Sequence, residues 1–197
     1  MNYLAHIYLS GFNDDIKIGN FIADFIYGNR FKNYDSEIQK GILMHRYIDT
    51  YTDSHPVFRQ SKKRLFFRFR HYSGVIVDMF YDHFLAKNFD TYSDQDLNQF
   101  AESFYEILYQ KMDDLPEKVH QIYPVMVKYN WLVRYQYIND LKHILRQMNK
   151  KTRFPTRLDD SVVLLIEHYD SFEAEFFDFF DDIIKEQPKM LKALDIN

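Results

Sequence analysis

The sequence predicts an all-α protein, and three observations carry that expectation. Glycine and proline, the residues that punctuate turns, occur only five times each in 197 residues, fewer than an all-β chain of this length needs. Hydrophobic residues make up 46% of the chain, with 19 Phe and 16 Tyr, so a sizeable core is within reach. Apolar positions recur every three or four residues through most of the chain, which is the period of a buried helix face. Together these give one helical domain spanning 1–197, of about seven or eight helices.

Asp14 to Tyr27 reads as a short helix capped by Asp14 or Asp15, with Ile16, Ile18, Phe21, Ile22 and Phe25 inward. A polar connection, Asn29 to Tyr34, follows. Asp35 or Ser36 starts the next helix, which runs to about Thr52 on Ile38, Ile42, Met44 or Tyr47, and Ile48. Gly41 inside it costs about 1 kcal/mol against Ala unless another backbone must come close. Ser54-His55-Pro56 signals a second start, with Pro56 at the first helical position and a basic helix to about Arg70. Ser73 to Asn88 is helical despite Val75-Ile76-Val77, because Val75, Met79, Phe80, Phe84 and Leu85 keep helical spacing. Ser93-x-x-Asp96 resembles a capping box for a helix to about Asp114. Pro116 opens another, which Pro124 is expected to interrupt. Trp131 to Asn149 and, after the Arg153-Phe154-Pro155 break, Leu158 to about Ile184 complete the set.

Composition excludes several classes of function. With no Cys there is no disulfide framework, thiolate-bound zinc or thiol nucleophile, and a reducing, cytoplasmic location is expected. The opening MNYLAHIYLS lacks a basic n-region, and no run is long and apolar enough for a span. No P-loop, G-x-S-x-G or dinucleotide fingerprint is present. The net charge of -4 argues against nucleic acid. The charge is unevenly placed, however. Between Ser54 and Val77 there is no acid, while Arg59, Lys62, Lys63, Arg64, Arg68 and Arg70 cluster there. Between Glu167 and Glu186 eight acids face Lys185 alone. The basic helix is either a solvated face or a docking surface for an acidic partner.

Metal-ligand chemistry is the strongest catalytic signal. His45 and Asp49 lie four apart, as do Asp78 and Asp82, with His83 next in line. That spacing puts each pair on one helix face. Asp24 and His6 sit among apolar residues, where an unpaired polar group is costly. Imidazole and carboxylate donors suit Mn, Fe, Mg or Zn. The same residues also fit buried structural ion pairs, with Arg46 as a partner. His55, His71, His120, His143 and His168 stand alone and read as surface or capping residues. Trp131 and the Phe-rich run 176–180 read as core rather than as a membrane anchor.

The runs NYLAHIYLS, GNFIADF, GILMHRYIDTYTDSHP and VIVDMFYDHFLA, in this order over residues 2–86, resemble the successive motifs of the acyl carrier protein phosphodiesterases. WLVRYQYINDLKHILRQM is similar to that family's C-terminal half, and the looser match extends to about residue 185. The resemblance implies a variant of the helical HD phosphatase and phosphodiesterase fold, though the adjacent pair here is Asp82-His83 rather than His-Asp. It implies a divalent cation, Mn(II) being the one family members favour, held by Asp24, His45, Asp78 and Asp82, with Asp49, His83 and His6 next. Asp49 or Asp82 would take a proton from water, and Arg46 would neutralise phosphate or pair with an acid. The implied substrate is holo-acyl carrier protein, a small acidic protein, cleaved to apo-protein and 4′-phosphopantetheine, and the basic helix would receive it. Two other readings are compatible with the residues: a phosphohydrolase of the same fold acting on a nucleotide such as a guanosine polyphosphate, and a non-catalytic helical adaptor for an acidic protein.

Overall fold

The computed structural model describes residues 1–150, 152 and 156–195, and these form α-helices joined by 3-10 turns, with no strand among the described residues. The helices are α1 (Tyr3–Leu9), α2 (Asp14–Ile22), α3 (Ser36–Ser54), α4 (Pro56–Phe69), α5 (Ser73–Lys87) and α6 (Phe89–Tyr92), then α7 (Leu97–Gln110), α8 (Glu117–Lys128), α9 (Trp131–Arg134), α10 (Ile138–Asn149), α11 (Ser161–Glu167) and α12 (Tyr169–Asp195). Twelve α-helices stand among the described residues against the seven or eight expected, and eight of them reach nine residues. Among the described residues, no helix is long and apolar enough to cross a membrane.

The four short helices arise where local chemistry breaks or adds an element. Tyr3–Leu9 reads in sequence only as an apolar run, yet it is helical because a carboxylate from α5 caps it, as described below. The helix expected to reach Tyr27 stops at Ile22 and tightens into a 3-10 turn, Ala23–Phe25. The box at Ser93 is really a single cap. Asp96 accepts from the amides of Asn98 and Gln99, and Ser93 instead accepts from Gln95. The segment expected to run from Trp131 to Asn149 divides into α9 and α10, and Leu158 to Ile184 into a 3-10 turn, α11 and α12. Pro124 sits inside α8 without ending it. The Arg153-Phe154-Pro155 break lies outside the described residues.

The core is aromatic. Phe172, Phe176, Phe179 and Phe180 of α12 are fully buried; Phe58, Phe80 and Tyr81 of α4 and α5 meet the first three edge-on or tilted, and Phe84 stacks on Phe176. His55 belongs here rather than on the surface. It is buried against the edge of Phe179, with Nε2 3.6 Å from Asp182.

The basic and acidic stretches also meet. α4 packs on α12, and half of the clustered cations find acids, two of them remote in sequence. Arg64 makes a two-pronged pair with Glu175 at 2.6 Å on each arm, and Glu175 also accepts from Ser61 and Gln60. Lys62 pairs with Asp53 at 3.2 Å and Arg68 with Asp160 at 3.1 Å. The absence of acids near these cations in the sequence therefore does not leave all of them unpaired in the fold.

The closest helix contact is between α2 and α3. A Cβ on Gly19 would lie 2.1 Å from the Ile38 carbonyl oxygen, and one on Gly41 2.3 Å from that of Ile16. The close backbone approach that would justify Gly41 is thus present. Either Gly→Ala change forces two backbones apart and is expected to cost about 3 kcal/mol or more in urea unfolding. Gly74→Ala, where a Cβ meets nothing nearer than the Lys62 side chain at 3.7 Å, is the control and should be neutral or stabilising.

Candidate active site

The α2–α3 crossing places one asparagine between two histidines. Asn20 follows Gly19 on α2 and is fully buried. Its side-chain oxygen lies 2.8 Å from His6 Nδ1, and its backbone carbonyl lies 2.8 Å from His45 Nδ1. The amide end of Asn20 donates to the His6 carbonyl and to Ser10 Oγ, both at 2.9 Å, which fixes which end is the acceptor. Both histidines must therefore donate from Nδ1. In the neutral rings Nε2 is then a lone pair aimed outward. The rings stack with centroids 4.0 Å apart and planes 14° from parallel, so the two Nε2 atoms point the same way.

Two carboxylates meet them. Asp49, one turn beyond His45, lies 3.2 Å from His45 Nε2 and 3.3 Å from His6 Nε2. Asp24, in the 3-10 turn after α2, lies 3.3 Å from His45 Nε2. His6, His45 and Asp49 each offer a ligand atom within 4.8 Å of the others. His6 Nε2 is buried with no hydrogen-bond partner, an orphaned donor atom of the kind a cation satisfies.

The cluster opens into a hollow of about 290 Å³ whose walls include Asp24, Asp49, Asp53, Asp78 and Thr52. No Lys or Arg lines it among the described residues. The Thr52 hydroxyl is buried without a partner in that wall. Burial, together with the neighbouring His45, pushes His6 down to about 4. Burial also opposes a proton on His45, but Asp24 and Asp49 outweigh it and raise that ring to about 9. Asp24 is held low by its hydrogen bond to His45. Asp49 is lowered too, because His45 and His6 overcome the opposite effect of burial.

The structure does not bring every candidate residue to this point. Asp82 is fully buried and both its oxygens are taken by the start of α1: Oδ2 accepts from Leu4 N at 2.8 Å, and Oδ1 from Asn2 N at 3.3 Å and Ala5 N at 3.4 Å. Burial pushes it up to about 7 despite these donors and the nearby Met1 amino group. His83 is also elsewhere. Its Nδ1 faces the Tyr135 carbonyl at 2.8 Å and Nε2 the Tyr169 hydroxyl at 2.9 Å, so neither nitrogen is free. Arg46 turns away, donating to the Gly28 carbonyl at 3.0 Å and lying over the Phe31 ring. Asp78 stays at the wall, 2.8 Å from the Met1 amino nitrogen. Asn20, Thr52 and Asp53 were not singled out in the sequence. A buried Asn within an apolar helix, as in GNFIADF, is the one signal that could have found Asn20.

The profile of the acyl carrier protein phosphodiesterases matches residues 1–183. The chain belongs to that family. A relative from Photorhabdus laumondii, named acyl carrier protein phosphodiesterase, is 32% identical over 184 residues, 91% of each chain. One of the same name from Pectobacterium atrosepticum is 29% identical over 181 residues, 91% of this chain and 94% of its own. Another from Escherichia coli O6:H1 is 29% identical over 195 residues, 98% of this chain and all of its own. No solved structure matches. Membership makes the chain an enzyme of the phosphodiesterase class.

The division of labour between Asp49 and Asp82 is testable by stability. Asp82→Ala leaves the first amides of α1 unsatisfied and is expected to cost about 2 kcal/mol in urea unfolding, with loss of hydrogen-exchange protection at Leu4 and Ala5. Asp82→Asn, which keeps an acceptor oxygen, should recover part of it. Unchanged protection in Asp82→Ala would remove the cap from the account.

Proposed function

We propose that this chain is a Mn(II)-dependent phosphodiesterase that cleaves the bond between phosphopantetheine and a serine of holo-acyl carrier protein. The observation that carries it is a pair of stacked histidines whose Nε2 atoms converge with two carboxylates on an acid-lined hollow. A phosphodiester is an anion, and in this hollow Asp24, Asp49, Asp53 and Asp78 outnumber the Met1 amino group and His45 and disfavour it unless a metal cation intervenes. The family name supports the carrier-protein substrate.

His6, His45, Asp49 and Asp24 would hold the cation, and their mixed nitrogen and oxygen donors suit Mn(II). When bound, the cation supplies positive charge that draws in the phosphodiester and opens its phosphorus to water. Asn20 fixes both imidazoles by their far nitrogens, so the donors keep their direction through the reaction. The oxygen of water adds to phosphorus and the bond to the serine oxygen breaks. The serine oxygen takes a proton, leaving apo-protein and 4′-phosphopantetheine. Asp49 is held too low to be a strong base. Asp78, raised by burial on the same wall, is the better matched acceptor for the water's proton.

Three results are expected. Holo-carrier protein incubated with the enzyme and Mn(II) loses the mass of phosphopantetheine; His45→Ala and Asp49→Ala abolish the loss, while Arg46→Ala retains it. Loss of mass in a rigorously metal-free reaction would refute the metal assignment. Asn20→Ala weakens Mn(II) about 10- to 100-fold, read by calorimetry. Finally, His45, at about 9, carries a proton at neutral pH that the cation must displace, while His6, at about 4, is already neutral. Binding should thus release about one proton per ion near pH 7.5, about half of one at pH 9 and almost none above about pH 10.5, with apparent affinity rising over that range. Calorimetry in buffers of different ionisation enthalpy counts that proton, and a count of zero at pH 7.5 would take His45 out of the ligand set.

A further inference from the structure

The five cations of α4, with Arg70 just past its end, divide by where they fall around the helix. At about 100° per residue, Ser61, Leu65, Phe58 and Phe69 share one arc and are buried in the core. Lys62, Arg64 and Arg68 flank that arc, and each is engaged by an acid: Asp53, Glu175 and Asp160. Arg59, Lys63, Phe66 and Phe67 occupy the opposite arc, and Arg70 closes the helix on the same side. Lys63 and Arg70 have no acidic partner among the described residues, and Arg59 touches only the Asp53 backbone carbonyl. Phe67 is 90% exposed and Phe66 50%, with the Arg70 guanidinium 5.8 Å from the Phe66 ring centre. Two adjacent phenylalanines in water among cations, on a helix with no acid, are unexplained by folding.

This face also leads to the hollow. Arg59 and Lys62 both reach Asp53, which lines it, and Lys62 lies beside Gly74, next to the wall residue Val75. From Arg59 the helix runs about 16 Å to Arg70.

We propose that Arg59, Lys63, Phe66, Phe67 and Arg70 form the docking face for the protein substrate, and that its occupant is an acidic surface of the carrier protein that also carries apolar residues. Acidic side chains of that surface pair with Arg59, Lys63 and Arg70, and its apolar residues cover the two phenylalanines. Aromatic anchors with a cationic rim are the surface composition that carries protein binding energy, and the charge steers the encounter. The inference rests on the carrier-protein reading above, which supplies a small acidic substrate. It departs from a uniformly basic patch: Arg64 is a structural residue, and Lys62 and Arg68 are largely neutralised.

The test uses the full-length enzyme with Mn(II), holo-carrier protein as substrate and apo-carrier protein as a competitive ligand that carries no arm. Lys63→Glu combined with Phe67→Ser is expected to raise KM for the holo-protein and Ki for the apo-protein at least tenfold, with kcat within twofold and an unchanged melting temperature. Arg59→Glu with Arg70→Glu should act alike, and the wild-type Ki should rise with salt. KM and Ki unchanged in both double variants, with active wild-type enzyme, would overturn the docking face and leave the reaction standing. Wild-type enzyme that neither cleaves holo-protein nor binds apo-protein would overturn both readings together. Apo-protein binding lost in the variants, with no cleavage by the wild type, would keep the face and reject the reaction.

Discussion

The site depends on how closely α2 and α3 approach. Gly19 and Gly41 remove the side chains that would otherwise hold these helices apart, and their Cβ positions fall inside the other helix's backbone. The chemistry is built on the neighbouring residues. Asn20 follows Gly19, and His45 lies one turn past Gly41, so the same crossing brings the Asn20 carbonyl to His45 Nδ1. Any wider spacing would break that hydrogen bond, free the imidazole to rotate, and part Asp49 from His6. The roughly 1 kcal/mol that each mid-helix glycine costs is offset by a contact no larger residue permits.

The fold class was legible because helical periodicity is a local signal, and this chain repeats it with few interruptions. Element ends were less so. The division at residues 135–137 and the stop at Ile22 are set by tertiary packing rather than by glycine or proline. α1 was illegible for a clearer reason: its cap is the Asp82 carboxylate, far along the chain. The site shows the same pattern. His45 with Asp49, an i,i+4 pair, was readable, and Asp24 and His6 stood out as polar groups in apolar runs. The pair Asp78 and Asp82 has the same spacing, but spacing cannot say what faces it. One meets the amides of α1 and the other lines the hollow. Asp82 and His83, adjacent in sequence, serve unrelated contacts.

Charge gave the least reliable sequence signal. An acid-free stretch is a statement about neighbours along the chain, whereas pairing is decided by neighbours in space. α12 supplies the Glu175 partner of Arg64 from 111 residues away. What the sequence could establish was an imbalance between two segments. Only packing determines which cations are used internally, and the remainder is the part available to another molecule.

The cap on α1 bears on how the protein is made. His6 is translated well before Asp82, and 78 residues separate Leu4 from the carboxylate that holds its amide. At ordinary ribosomal speeds of about 5–20 residues per second, the first histidine waits roughly 4–16 s for the group that seats its helix. During that interval Asn20, His45 and Asp49 have also been made, yet the second ring is absent from its place. The two histidines therefore take their places only once α5 has been made, and not as α1, α2 and α3 emerge.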